Sequence, residues 1–273
     1  MSQATYVRSK DDDFLEWQFV LDYAEFASQM NFLAISALLE KARSLSDLAK
    51  RKSICLSGLQ LLYSSYEDFA ILLHAFRKRI DGKHLHLTIG VEDQSNSGST
   101  GMPRIFKQYE SARQMLDNFG LTSITYERMV TYLEITKEQF EDRYRDIARS
   151  VKGLSEFQQS VNLFKNKLKH GKPVLESLVD RKDMADSVLF LRWNDNNGKW
   201  ELEIYWVSVS IEQLESATKQ VAKLYIISME LLWLFMLHYY PEHAEKFRET
   251  MVKHGEECVR QVSALGLKSE GLT

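Results

Sequence analysis

Residues 224–240 read LYIISMELLWLFMLHYY, seventeen positions whose only formal charge is Glu230. A helix that is apolar all round must be enclosed, either by other helices or by lipid. The run is shorter than the roughly 20 apolar residues that span a bilayer. An acid near the centre of a span costs about 2.5–3.5 kcal/mol on insertion scales. Both facts favour the central helix of a soluble helical bundle, and no membrane association is expected.

Working outward, the whole chain supports helices. Three prolines and twelve glycines in 273 residues leave little to interrupt them. Asp11–Asp13 suit a first helical turn, because acids there meet free N–H groups and the positive end of the helix dipole. The spacing of Phe14, Trp17, Leu21, Ala24, Ala27, Met30, Phe32, Ile35 and Leu39 predicts one long helix to about Arg43. Ser46–Asp47 restarts a helix to about Ile80, with Leu59, Leu62, Tyr63, Tyr66, Ala70 and Leu73 as its stripe. Asp81–Gly82 stops it.

Residues 90–101 (GVEDQSNSGSTG) offer almost nothing to bury and predict a flexible surface loop. Further helices are expected from Met102–Pro103 to Phe119, over Tyr126–Leu133, from Thr136 into Phe140–Val151, and from Ser155 to His170. Gly171 and Pro173 close the last of these. Ser187–Trp193 and Lys199–Val209 are rich in β-branched and aromatic residues around an Asn197–Gly198 turn signal, so residues 187–209 predict a β-hairpin. Helices from Ile211 to Tyr240 and from Pro241 to Ala264 complete the chain. The expected architecture is one mainly α domain over 1–273, an antiparallel bundle of about seven helices carrying one hairpin.

Composition excludes some functions. A net charge of −3 and a pI near 6.2 do not suit a protein that coats DNA or membranes through bulk charge. Cys55 and Cys258 make no disulfide framework, and with the polar N-terminus they point to the cytoplasm. No phosphate-binding or dinucleotide glycine motif and no nucleophile elbow is present. No histidine follows a Glu by three residues, as a bundle-type metal pair requires. His84-x-His86 has metal-like spacing but lacks a third ligand in sequence. No cofactor and no metal are therefore expected.

The densest functional string is Lys165–Asn166–Lys167–Leu168–Lys169–His170–Gly171. On a helix Asn166 and His170 share a face one turn apart, beside a row made by Lys165 and Lys169. From Arg149 to Lys182 eight Lys/Arg residues outnumber three Glu/Asp residues, a local positive excess in an acidic protein. An imidazole among ammonium groups suits phosphate chemistry: the ring exchanges a proton near neutral pH while the lysines hold the anion.

This string resembles the Arg-Asn-x-x-x-His motif of HEPN domains, with Lys165 in the Arg place, Asn166 in the Asn place and His170 in the His place. The resemblance implies a small antiparallel helical bundle and a metal-independent endoribonuclease of a defence or toxin-type system. It also implies a homodimer or a protein partner, with two motifs lining one cleft. His170 would move protons at the ribose 2′-hydroxyl or leaving oxygen, Lys165 would hold the scissile phosphate, and Asn166 would orient the pair. Lys167, Lys169 and Lys172 would contact RNA phosphates. Glu67, four residues after Tyr63, would be the acid that such domains carry on an early helix.

The chain departs from the pattern at Lys165, which keeps the charge but loses the planar two-pronged grip of guanidinium. Two other readings stay open. One is a non-catalytic helical interaction or regulatory protein with a degenerate motif. The other is a small-ligand binder using a pocket between helices near Trp233. Trp193, Trp200, Tyr205 and Trp206 on the hairpin read first as packing residues and second as base-stacking ones.

Overall fold

A computed structural model describes residues 12–24, 28–85, 136–139, 141–142, 145, 187–196 and 199–268. The protein is mainly α. In chain order the described helices are α1 (Asp12–Asp22), α2 (Ser28–Ser44), α3 (Leu48–Ile80), α4 (Ile211–Tyr239) and α5 (Ala244–Ala264). A 3₁₀ turn over Pro241–His243 precedes α5. The 90–101 segment lies outside the described residues, as do the helices expected over 102–119, 126–133 and 155–170.

Local chemistry sets the ends of these helices. Asp47 caps α3: its carboxylate accepts from the Lys50 N–H at 3.1 Å and its carbonyl from the Arg51 N–H at 3.0 Å. At the other end Gly82 takes φ +80°, a left-handed conformation that a side chain resists. There the Gly82 N–H donates to the Arg79 carbonyl and the Lys83 N–H to the Lys78 carbonyl, satisfying the last turn. Ser210 caps α4 through its hydroxyl, which accepts from the Gln213 N–H at 3.3 Å. Thr136 and Gln139 form a reciprocal capping box, with backbone N–H to side-chain oxygen distances of 2.8 and 3.2 Å.

The helix expected from Asp11 to Arg43 is described as α1 and α2: α1 passes into a π-helical turn at Tyr23 and Ala24, residues 25–27 lie outside the described residues, and α2 is described from Ser28. The buried face holds Leu21 and Ala24 as expected, and Phe32, Ile35 and Leu39 on α2, but Phe14 on α1 and Met30 on α2 are exposed, while Glu16 and Val20 are enclosed. The reason is polar: α1 turns toward the interior the residue whose carboxylate has partners waiting there.

The chain forms two compact units. The first takes in Met1–Gln29, Glu67–Gly153 and Tyr225–Glu257; the second takes in Met30–Tyr66, Leu154–Leu224 and Cys258–Thr273. The first unit buries Val20, Phe69, Leu72, Leu73, Phe76, Leu231, Leu232, Phe235 and Phe247. Phe76 and Phe235 lie ring to ring at 5.4 Å. α4 is, among the described residues, the helix long and apolar enough to cross a membrane, and 78% of its most apolar window is buried inside the protein.

The second unit buries Phe32, Ile35, Leu39, Leu62, Leu214 and Val262. Arg43 donates to the Leu265 carbonyl at 2.6 Å, where α5 ends, and pairs with Glu215 at 2.5 Å. The hairpin strands β1 (Ser187–Asn196) and β2 (Lys199–Ser208) pair antiparallel, from Ser187 opposite Ser208 to Asn196 opposite Lys199.

Within this second unit Gly58 lets α3 approach α4 closely. A Cβ there would lie 2.1 Å from Leu214 Cδ1 and 3.7 Å from Ile35 Cγ1. The tip of Leu214 is the part that must move, and Leu214 is fully buried. Gly58→Ala gains helix propensity but forces that leucine off its rotamer, for an expected net loss of about 1–2 kcal/mol. Urea denaturation checks this; an unchanged or higher midpoint would show that Leu214 has room to move.

Candidate functional site

Lys165, Asn166, Lys167, Lys169, His170 and Lys172 lie outside the described residues. Glu67 is described: it is half-buried on α3. Tyr63 and Tyr66 on the preceding turn are buried, and burial pushes both phenols well above their ordinary range. Trp233 is 9% exposed on α4, so its ring is part of the core.

The polar cluster that the structure does assemble was not singled out by sequence reading. It joins Asp13 and Glu16 of α1, Arg79 at the end of α3, His84 just after that helix, and Tyr240 just after α4. Asp13 and Glu16 stand one helical turn apart and share a face. Glu16 is 0% exposed, an unusual place for a carboxylate without partners. It has several. One oxygen, Oε1, accepts from the Leu85 backbone N–H. Around the other, Oε2, gather the Tyr240 hydroxyl, His84 Nδ1 at 3.1 Å and Arg79 Nε at 2.9 Å.

These contacts are not equal. Arg79 Nε is close enough for an ion pair, yet its N–H makes no directed hydrogen bond among the described residues. Its attraction to Glu16 is therefore one of charge rather than of a directed hydrogen bond. The guanidinium also lies 3.5 Å from Asp13 Oδ1 and sits over the Tyr239 ring, 4.6 Å from its centroid. Tyr240 has one O–H and two acceptors in reach, Glu16 Oε2 and, at 3.2 Å, Asp13 Oδ1.

Electrostatics follow from this geometry. Burial by itself lowers the Arg79 pKa, but the Glu16 carboxylate and the two tyrosines outweigh it, holding the guanidinium above its ordinary value. Burial pushes the Tyr240 phenol up, and its hydrogen bond to Glu16 pushes it further. Arg79 thus stays charged and Tyr240 stays a proton donor. The rim is wetter: Asp13 has a 73% exposed side chain, and Trp17 stacks on His243 at 4.2 Å. As arranged, the cluster anchors α1 to the ends of α3 and α4.

One signal in the sequence pointed here. Glu16 stands four, five and eight residues before Val20, Leu21 and Ala24, so it falls on their face of a helix. An acid on an apolar face asks for a partner.

Comparison with known protein families, with curated proteins and with solved structures returned no match.

Proposed function

We propose that this chain is a HEPN-like protein acting on RNA, a metal-independent endoribonuclease centred on His170, Lys165 and Asn166. The observation that carries the reading is the string Lys165–Gly171 itself, with its row of lysines in an otherwise acidic chain. The mainly α architecture supports it, since the resemblance implies a helical bundle. The finer expectation belongs to the same proposal: about seven antiparallel helices with one hairpin, cytoplasmic, and paired as a homodimer or with a protein partner. The half-buried position of Glu67 on the long α3 suits the supporting acid.

In this reading His170 takes the proton from the ribose 2′-hydroxyl, which attacks the adjacent phosphorus. The bond from phosphorus to the 5′-oxygen breaks, leaving a 2′,3′-cyclic phosphate; the 5′-oxygen takes its proton from water, and Lys165 offsets the charge that gathers on the phosphate oxygens. Lys165 in place of arginine favours one second reading, a non-catalytic interaction protein that keeps the motif only in outline.

The test incubates wild type and His170→Ala with a pool of structured RNAs in EDTA, with thermal melts of both to confirm equal folding. Cleavage by wild type, slowed about 100-fold or more in His170→Ala, is the expected result. Equal rates in the two proteins, or no cleavage by either, would transfer the assignment to the interaction reading.

A further inference from the structure

We propose that Asp13, Glu16 and His84 form a site for one divalent transition-metal ion, which locks α1 onto the end of α3. The site shares no residue with the 165–172 string and stands or falls apart from the RNA reading. The sequence contained the metal-like spacing His84-x-His86 but no further ligand near it. Folding supplies two carboxylates to His84 from α1, 68 and 71 residues away in sequence.

The distances suit an ion. One ligand atom from each of Asp13, Glu16 and His84 lies within 4.8 Å of the other two. His84 Nδ1 is 3.1 Å from Glu16 Oε2 and 3.7 Å from Asp13 Oδ1. Two ligand atoms bound at about 2.1 Å to a tetrahedral ion stand about 3.4 Å apart. The observed pair brackets that separation. Glu16 is already aimed, because the Leu85 N–H holds Oε1 and turns Oε2 toward the imidazole. One imidazole with two carboxylates is a borderline donor set, suited to Zn²⁺ or Mn²⁺ before Mg²⁺.

Arg79 competes with an ion for this place. Its guanidinium now supplies the positive charge, and a divalent ion beside it would meet repulsion. The arginine is nevertheless held to Glu16 by charge alone, with Nε making no directed hydrogen bond among the described residues. The Tyr240 hydroxyl and His84 Nδ1 already take both lone pairs of Oε2. An ion bound to Oε2, Oδ1 and Nδ1 displaces Arg79 from Glu16, and the guanidinium keeps its place over the Tyr239 ring. Tyr240 then donates to a bound carboxylate as an outer partner.

The experiment titrates ZnCl₂, MnCl₂ and MgCl₂ by calorimetry into full-length protein stripped with EDTA and dialysed. Wild type is expected to bind one equivalent of Zn²⁺ and to melt at higher temperature when loaded. Asp13→Asn and His84→Gln should each weaken binding at least tenfold. Asp13 is mostly exposed, so its variant keeps the fold. Arg79→Gln should bind about tenfold more tightly, since a repelling charge is gone. Absence of binding overturns the site. So does Zn²⁺ uptake that Asp13→Asn and His84→Gln leave unchanged, or that Arg79→Gln weakens.

Discussion

Replacing Glu16 with alanine lowers the unfolding free energy by about 3–5 kcal/mol, the usual cost of removing one partner from a buried ion pair. Three groups lose an acceptor together: the Leu85 N–H, the Tyr240 hydroxyl and His84 Nδ1. Arg79 stays charged and partly buried, left with the more distant Asp13 oxygen, the Tyr240 hydroxyl at 3.5 Å and the Tyr239 ring. Glu16→Gln loses less, because its carbonyl oxygen can still accept from Leu85 or Tyr240. Glu16→Met combined with Arg79→Met removes both charges, and its loss should fall well short of the two single losses added. Urea titrations in EDTA, followed by far-UV circular dichroism, read these differences without any contribution from bound metal. A loss below about 1 kcal/mol for Glu16→Ala would show that the cluster does not hold α1.

Phe235→Ala is expected to cost about 3–5 kcal/mol. Phe235 is 2% exposed and lies against Phe76 at 5.4 Å, Tyr239 at 4.7 Å and Tyr240 at 6.2 Å, all within the first unit. Truncation removes a ring from a close-packed cluster, and neighbours fixed on α3 and α4 close the cavity only in part. A double-mutant cycle with Phe76→Ala should return a coupling of about 0.5–1.5 kcal/mol for the two rings. Phe235→Ala with the stability of wild type would mean that the apolar run of α4 is not core-facing at this position. The run quoted from residues 224–240 would then need another apolar surrounding.

What the sequence determined by itself is largely local. The start of α3 at Asp47 and its exit at Gly82 are set by hydrogen bonds spanning three to five residues, so they can be read along the chain. The same holds for the capping box of Thr136 and Gln139 and for the Ser210 cap of α4. The enclosure of the 224–240 run was also legible, since a helical stretch apolar on every side has no face to give to water. The string from Lys165 to Gly171 was legible only as residue types at helical spacing, and the chemistry proposed for it rests there.

Tertiary structure alone decided the rest. Helical periodicity placed Leu21 and Ala24 inward correctly, but Phe14 and Met30, of the same expected stripe, are exposed, and α1 buries Glu16. Periodicity puts Glu16 on the face of Val20 and Ala24, but it does not say which groups meet the carboxylate there. Its burial depends on Arg79, His84, Leu85 and Tyr240, which reach Glu16 across 63 to 224 residues of chain. A buried carboxylate is tolerable only where such partners converge, and their convergence follows from how α1, α3 and α4 pack.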